Sequence, residues 1–221
     1  MVGCARPIEL CLVWVMASDR QQHWQNVYRQ KDAQRVSWYR PHLEVSLDLM
    51  RQAGMDPGSR VIDVGAGAST LIDDLLALGL RSIVALDVSE ESLAVTRARL
   101  AGQAESVQWL VADVTSVVLP PSSIDLWHDR AALHFLTEVQ DVGKYVEVAT
   151  KAIVTGGHAV IGGFALDGPV TCSGLPVARR DPQDIAALFA ERFVLVDSRQ
   201  EIHRTPSGSE QSFAYALLRR L

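Results

Sequence analysis

Residues 61–69 read VIDVGAGAS: four strand-forming residues run directly into a Gly-x-Gly turn, and Asp87 stands 22 positions beyond Gly65 at the end of the next apolar run. A buried parallel strand ending in such a turn lets a ligand lie on bare backbone at a helix N-terminus, while a carboxylate on the neighbouring strand tip can grip a ribose diol. The pattern nominates an adenosine-containing cofactor. Two further acids keep the same rhythm, Asp63 two places before Gly65 and Asp113 within VADV (Val111 to Val114). Three successive strands thus carry a carboxylate at the edge where open α/β sheets bind ligands. A nicotinamide fingerprint needs a third glycine for close helix packing, and Thr70 occupies that slot.

The second group with chemical potential is IDLWHDRAALHFL (Ile124 to Leu136). Asp129 has two readings: it takes a proton from an acceptor or orients it, or it caps the following helix or pairs with Arg130. Arg130 either forks onto an anionic substrate or forms an ion pair. His128 and His134 are pH-active candidates six positions apart, and packing explains them slightly better than catalysis does. Trp24, Tyr28, Trp38 and Tyr39 form either an aromatic lid over a cationic cofactor or the apolar faces of two docking helices. Cys172, in a glycine-rich loop near Arg179 and Arg180, is either a soft-substrate ligand or a passive small residue.

The elements that must position these groups follow from periodicity. Two helices are expected around Gln21 to Lys31 and His42 to Ala53, then a break at AGMDPGS (Ala53 to Ser59). Strands and helices alternate after it. Strands are expected at Arg60 to Val64, Ser82 to Asp87, Val107 to Ala112, Ile124 to Trp127 and His158 to Phe164. Helices lie between them at Ser69 to Leu78, after Ser89 as N-cap, and near Val139 to Ile153, where Gly156-Gly157 ends the last one. After a loop and a helix at Asp181 to Ala190, two β-rich runs, Phe193 to Ile202 and Gln211 to Leu218, are joined by a turn too short for a crossover helix. That pair is antiparallel, and the whole is a doubly wound α/β sheet with one reversed strand.

The 221 residues suit one domain, and 48% apolar with 21% charged residues is ordinary globular composition. A net charge of −5 gives no basic footprint for nucleic acid. Three scattered cysteines make neither a disulfide framework nor a zinc site, which suggests a reducing, cytoplasmic setting. The apolar run Ile8 to Ala17 contains Glu9 and is too short to span a bilayer, so residues 1–17 read as an upstream or disordered extension. Residues 18–57 then form a helical lid and 58–221 the ligand-binding domain.

From Trp24 to Phe164 this set of motifs resembles the class I S-adenosylmethionine-dependent methyltransferases. The resemblance implies a Rossmann-like seven-stranded sheet of order 3-2-1-4-5-7-6 with the last strand antiparallel. It implies S-adenosylmethionine as cofactor, with Asp63, Gly65, Ala66 and Gly67 on its methionine and ribose side. Asp87 would hold the ribose hydroxyls with Val88 beside the adenine, and Asp113 and Val114 would bracket the ring. Tyr28 and Tyr39 would close over the site, and Asp129, Arg130 and His128 would stand near the transferred methyl. The DRAAL stretch resembles thiopurine methyltransferase-like proteins and, more distantly, the D/E-K-G-x-L-D stretch of methyltransferases acting on elongation-factor lysines. The implied acceptor is a small nucleophile such as a thiol, with a protein lysine as the alternative and nicotinamide-dependent oxidation as a third reading. A metal site of the catechol type needs an Asp-Asn pair, yet Asn26 is the sole asparagine; no metal, nucleic-acid or membrane partner is expected.

Overall fold

The computed structural model describes residues 19–221; the extension expected at 1–17, with Cys4 and Cys11, lies outside them. The chain runs α1 (Asp19–Gln30), α2 (Glu44–Gln52), β1 (Arg60–Val64), α3 (Leu71–Ala77), β2 (Ser82–Asp87), α4 (Glu90–Leu100) and β3 (Val107–Val111). It continues through β4 (Ile124–Arg130), α5 (Val139–Ala152), β5 (Ile153–Phe164), β6 (Thr171–Cys172), β7 (Leu175–Pro176), α6 (Pro182–Leu188), β8 (Phe193–Arg204) and β9 (Glu210–Arg220). Seven strands form one sheet of order β3-β2-β1-β4-β5-β9-β8. β9 is antiparallel to both neighbours and is the one reversed strand, so the expected topology holds.

The inner strands are apolar on both faces because helices cover both. Val61 packs into one core with Leu47, Met50, Leu75 and Leu93. Its neighbours Ile62 and Val64 face the opposite core with Trp127, Tyr145 and Phe189. Residue alternation along β1 thus assigns α2, α3 and α4 to one side and α5 and α6 to the other. Ser89 caps α4 as expected, its side chain accepting from the Ser92 amide, and Asp181 and Asp184 form a reciprocal capping box on α6. α1 is different: only Val27 is buried. It is fastened by ion pairs from Arg20 to Asp113 and Asp141, both at 2.8 Å, and from Arg29 to Glu91 at 2.6 Å.

Three differences from expectation go beyond a shift of one or two residues at an element's end. β4 runs three residues beyond Trp127, taking in His128, Asp129 and Arg130, because Asp63 and Val64 on β1 and Val160, Ile161 and Gly162 on β5 pair with them. α5 ends at Ala152 and β5 starts at Ile153, so Gly156 and Gly157 lie inside the strand and do not stop the helix. The loop after β5 holds the two-residue ribbon β6–β7, turned by Ser173 and Gly174 at φ 51° and 81°. Two central residues at positive φ are the mark of a tight hairpin turn, and strands this short leave no periodicity to read.

One cross-sheet feature bears on the site. Arg130 on β4, Gly162 on β5 and Tyr215 on β9 are lateral neighbours. A Cβ on Gly162 would stand 2.4 Å from the Tyr215 ring, so the missing side chain lets that ring cross β5 and take the Arg130 Nε hydrogen bond at 2.9 Å. Gly162→Ala is expected to destabilise the protein by about 1–3 kcal/mol through overpacking, read from a urea unfolding midpoint. An unchanged midpoint would show that the ring has room to move.

Candidate functional site

The strand ends β1 to β5 open onto a cavity whose empty space, its open mouth included, is about 860 Å³. Gly65, Asp87, Val88, Asp113 and Val114 line one half. Trp24, Trp38, Phe135, Phe164, Phe213 and Arg130 line the other, with Tyr28, His134 and Cys172. A second space of about 470 Å³ shares Tyr28, Trp38, Gly65 and Arg130 as walls and adds Tyr39, Asp63, Ala66 and His128.

The glycine turn is built for close approach. Gly65 and Gly67 have φ of 68° and 44°, values that favour glycine. A Cβ on Gly65 would meet Ala132 at 2.8 Å, and one on Gly67 would meet the Tyr28 hydroxyl at 2.7 Å and Asp87 at 3.4 Å. The turn is clamped from α4: Thr96 Oγ1 donates to the Gly67 carbonyl at 2.9 Å, and Arg99 reaches the carbonyls of Ala68 and Ser69. Thr70, in the slot where a third glycine would stand, donates its hydroxyl to the Arg40 carbonyl at 2.8 Å. Thr96 and Arg99 carry no motif, and their part in the site is legible only in three dimensions.

The three strand-end acids are held differently. Asp63 is 2% exposed; its Oδ1 meets His128 Nδ1 at 2.7 Å, while Oδ2 is buried with no partner. His128 Nε2 in turn meets Ser46 Oγ at 2.9 Å. Asp87 is 9% exposed and accepts from the Ser89 amide at 2.8 Å. Burial pushes its carboxyl up to about 6 against the lowering effect of that amide. Asp113 accepts from Thr115 through one oxygen and from Arg20 through the other. A buried carboxylate oxygen without a donor, a second acid held near neutrality by burial, and a glycine turn a Cβ would block fit a ligand that brings its own amino and hydroxyl donors.

Of the three residues expected near the chemistry, only Arg130 lines the main cavity. Asp129 is fully buried, accepting the amides of Ala132 and Leu133 and the Tyr145 hydroxyl at 2.7–3.0 Å, so its carboxylate caps the turn after β4. Burial lifts it to about 6. It does not pair with Arg130, since adjacent strand residues point to opposite faces. His128 is bound between Asp63 and Ser46 and lines the second space. Tyr39 also lines only the second space, whereas Tyr28 borders both.

Cys172 lines the cavity but is 9% exposed, and burial pushes its thiol up to about 11. Of its two readings, the passive small residue is the one this burial fits. Arg179 turns to the carbonyls of Leu166 and Gly168, and Arg180 to those of Leu133, Leu136 and Ala178. Arg20 and Phe213 also line the cavity, from the two ends of the described chain, and no sequence motif announces either. Among the described residues, no helix is long and apolar enough to cross a membrane.

Residues 62–161 match the family described as a methyltransferase domain. The eEF1A lysine and N-terminal methyltransferase of Bos taurus is 26% identical over 142 residues, 62% of this chain and 20% of that protein. The chain thus spans about a fifth of the length of the curated relatives it matches. A protein solved for the conversion of a disulfide bond into a thioacetal group during echinomycin biosynthesis superposes with a TM-score of 0.74 at 18% identity, covering 90% of this chain and 92% of that one. The Burkholderia thailandensis 1,6-didemethyltoxoflavin-N1-methyltransferase, solved with 1,6-didemethyltoxoflavin and S-adenosylhomocysteine, gives 0.64 at 21% identity, covering 90% and 83%. The matched methyltransferase domain thus holds most of β1, β2 to β4 and most of β5, the strands whose carboxyl ends open onto the cavity.

Proposed function

We propose that the chain transfers the methyl group to a small-molecule nucleophile taken into the aromatic half of the cavity. The observation that carries this reading is the lining of that half. It is walled by Trp24, Trp38, Phe135, Phe164 and Phe213, and the cavity's carboxylates, Asp87 and Asp113, stand at the end of β2 and just after β3. A lysine acceptor must lose a proton before it attacks, and Asp129, the acid placed to help, is withdrawn into the turn after β4. The lysine reading keeps one support, the eEF1A methyltransferases among the curated relatives. The small-molecule reading is supported by the structural neighbours of the toxoflavin and echinomycin systems.

In this reading Asp63 Oδ2 receives the amino group of S-adenosylmethionine, with His128 holding the carboxylate in place. Asp87 accepts the ribose hydroxyls, Val88 and Val114 flank the adenine, and Asp113 faces its amino group. Gly65, Ala66 and Gly67 present bare backbone, and Tyr28 closes over them. When bound, the cofactor supplies a methyl group activated by sulfonium charge, which the acceptor's lone pair takes as the C–S electrons stay on sulfur. The chain contributes orientation and a water-poor pocket, and that suffices where the nucleophile needs no base.

Three outcomes test this. Incubation with label-bearing S-adenosylmethionine and a cell extract separated by size should place label in the small-molecule fraction; label confined to protein would favour the lysine reading. Gly67→Ala, which drives a Cβ into Tyr28 and Asp87, should weaken cofactor binding about tenfold or more by calorimetry while far-ultraviolet circular dichroism is retained. Cofactor affinity should also rise with pH through the Asp87 value of about 6 and level off above it, because the ionised carboxylate is the better acceptor for ribose hydroxyls. Asp87→Asn should flatten that profile, and a profile unchanged in the variant would remove Asp87 from the site.

A further inference from the structure

The aromatic half of the cavity contains a positive charge with no counter-charge. Arg130 Nε donates to Tyr215 Oη at 2.9 Å and Nη1 to the Trp38 carbonyl at 3.0 Å, and the guanidinium stands 4.5 Å over the Phe213 ring. The remaining nitrogen, Nη2, is buried and has no acceptor. Among the described residues no carboxylate lies within ion-pair distance of this guanidinium. Glu201 is reached only through Tyr215 Oη, which donates to it at 2.7 Å, and its other oxygen is taken by Arg40.

His134 stands on the same wall. It is 2% exposed, and neither ring nitrogen has a partner. It packs edge-on to Phe135 at 4.3 Å and tilted on Phe164 at 4.8 Å. Burial and the charges of Arg180 and Arg130 hold its pKa down to about 3, so the ring stays neutral and offers one N–H. Unpaired donors in a dry pocket cost stability, and the sulfonium of the cofactor adds a second positive charge to the same cavity. A ligand that carries negative charge relieves all of this at once.

We propose that the acceptor is a small planar anion seated among Trp38, Phe164 and Phe213, with its charge on Arg130 Nη2 and a polar edge toward His134. The inference deepens the small-molecule reading and rests on it. Arg130 is then the specificity residue, gripped from behind by Tyr215 and Trp38 so that one N–H edge faces the ligand. The same charge repels an ammonium, which separates this pocket from one shaped for lysine.

The test uses the chain loaded with S-adenosylhomocysteine and three probes of one ring size: benzoate, benzamide and benzylamine. Calorimetry should show benzoate binding about tenfold or more tightly than benzamide, the return of one charge-assisted hydrogen bond, with benzylamine weakest. Arg130→Met should abolish the preference while S-adenosylhomocysteine affinity stays within about threefold, and Arg130→Lys should retain part of it. Benzoate binding no tighter than benzamide overturns the inference, as does a full preference surviving in Arg130→Met. The wild-type comparison needs no variant, so it decides even if Arg130→Met lowers stability. An absent preference while label still reaches small molecules overturns this inference alone; label confined to protein overturns the reading beneath it.

Discussion

A carboxylate buried with few donors raises the free energy of the folded chain, and this domain keeps two such acids, Asp63 and Asp87, at the edge of its sheet. The rest of the architecture can be read as the means of holding them there. Asp63 is tethered by His128 on the adjacent strand, and His128 by Ser46 on α2, so a chain of three side chains crosses from helix to cavity. Asp87 accepts from the Ser89 amide, and burial raises its carboxyl to about 6. Each acid keeps an unmet capacity to accept, and a ligand with amino and hydroxyl groups is the natural partner.

The walls of the cavity depend on contacts between distant parts of the chain. α1 has one buried residue and is held by Arg29 on Glu91, by Trp24 and Tyr28 against Trp38, and by Arg20, whose guanidinium bridges Asp113 after β3 and Asp141 on α5. Half-exposed pairs of this kind are individually weak, so the roof is the least firmly held part of the site. The opposite wall is rigid. Tyr215 lies across Gly162, grips Arg130 and is itself bound to Glu201, which Arg40 holds from the segment before α2.

The legibility of the sequence followed the strength of the local signal. β1 and β2 are continuous apolar runs closed by a glycine turn and an acid, and both were read to the residue. The polar look of HDR hides the end of β4, yet His128 and Asp129 are paired on both sides in the sheet and Arg130 with Gly162 on β5. Gly156-Gly157 looked like a helix stop because glycine usually is one, whereas here a strand simply accommodates it. The sequence leaves Asp129 open between chemistry and capping; bonds from the Ala132 and Leu133 amides, with a third from Tyr145 on α5, make it the cap of the turn after β4.

The residues alone determined the element order, the reversed final strand, the glycine turn and the acids at three strand ends. Those features come from local propensity and from two-residue periodicity, which act over a few neighbours. Tertiary structure alone decided which groups share a wall. It turned His128 toward Asp63, buried the Cys172 thiol beyond easy ionisation, and left one edge of Arg130 bare beside His134. Partnership of that kind depends on burial and on contacts 65 to 93 positions apart, such as Asp63 with His128 and Arg20 with Asp113, and no spacing rule in the chain encodes it.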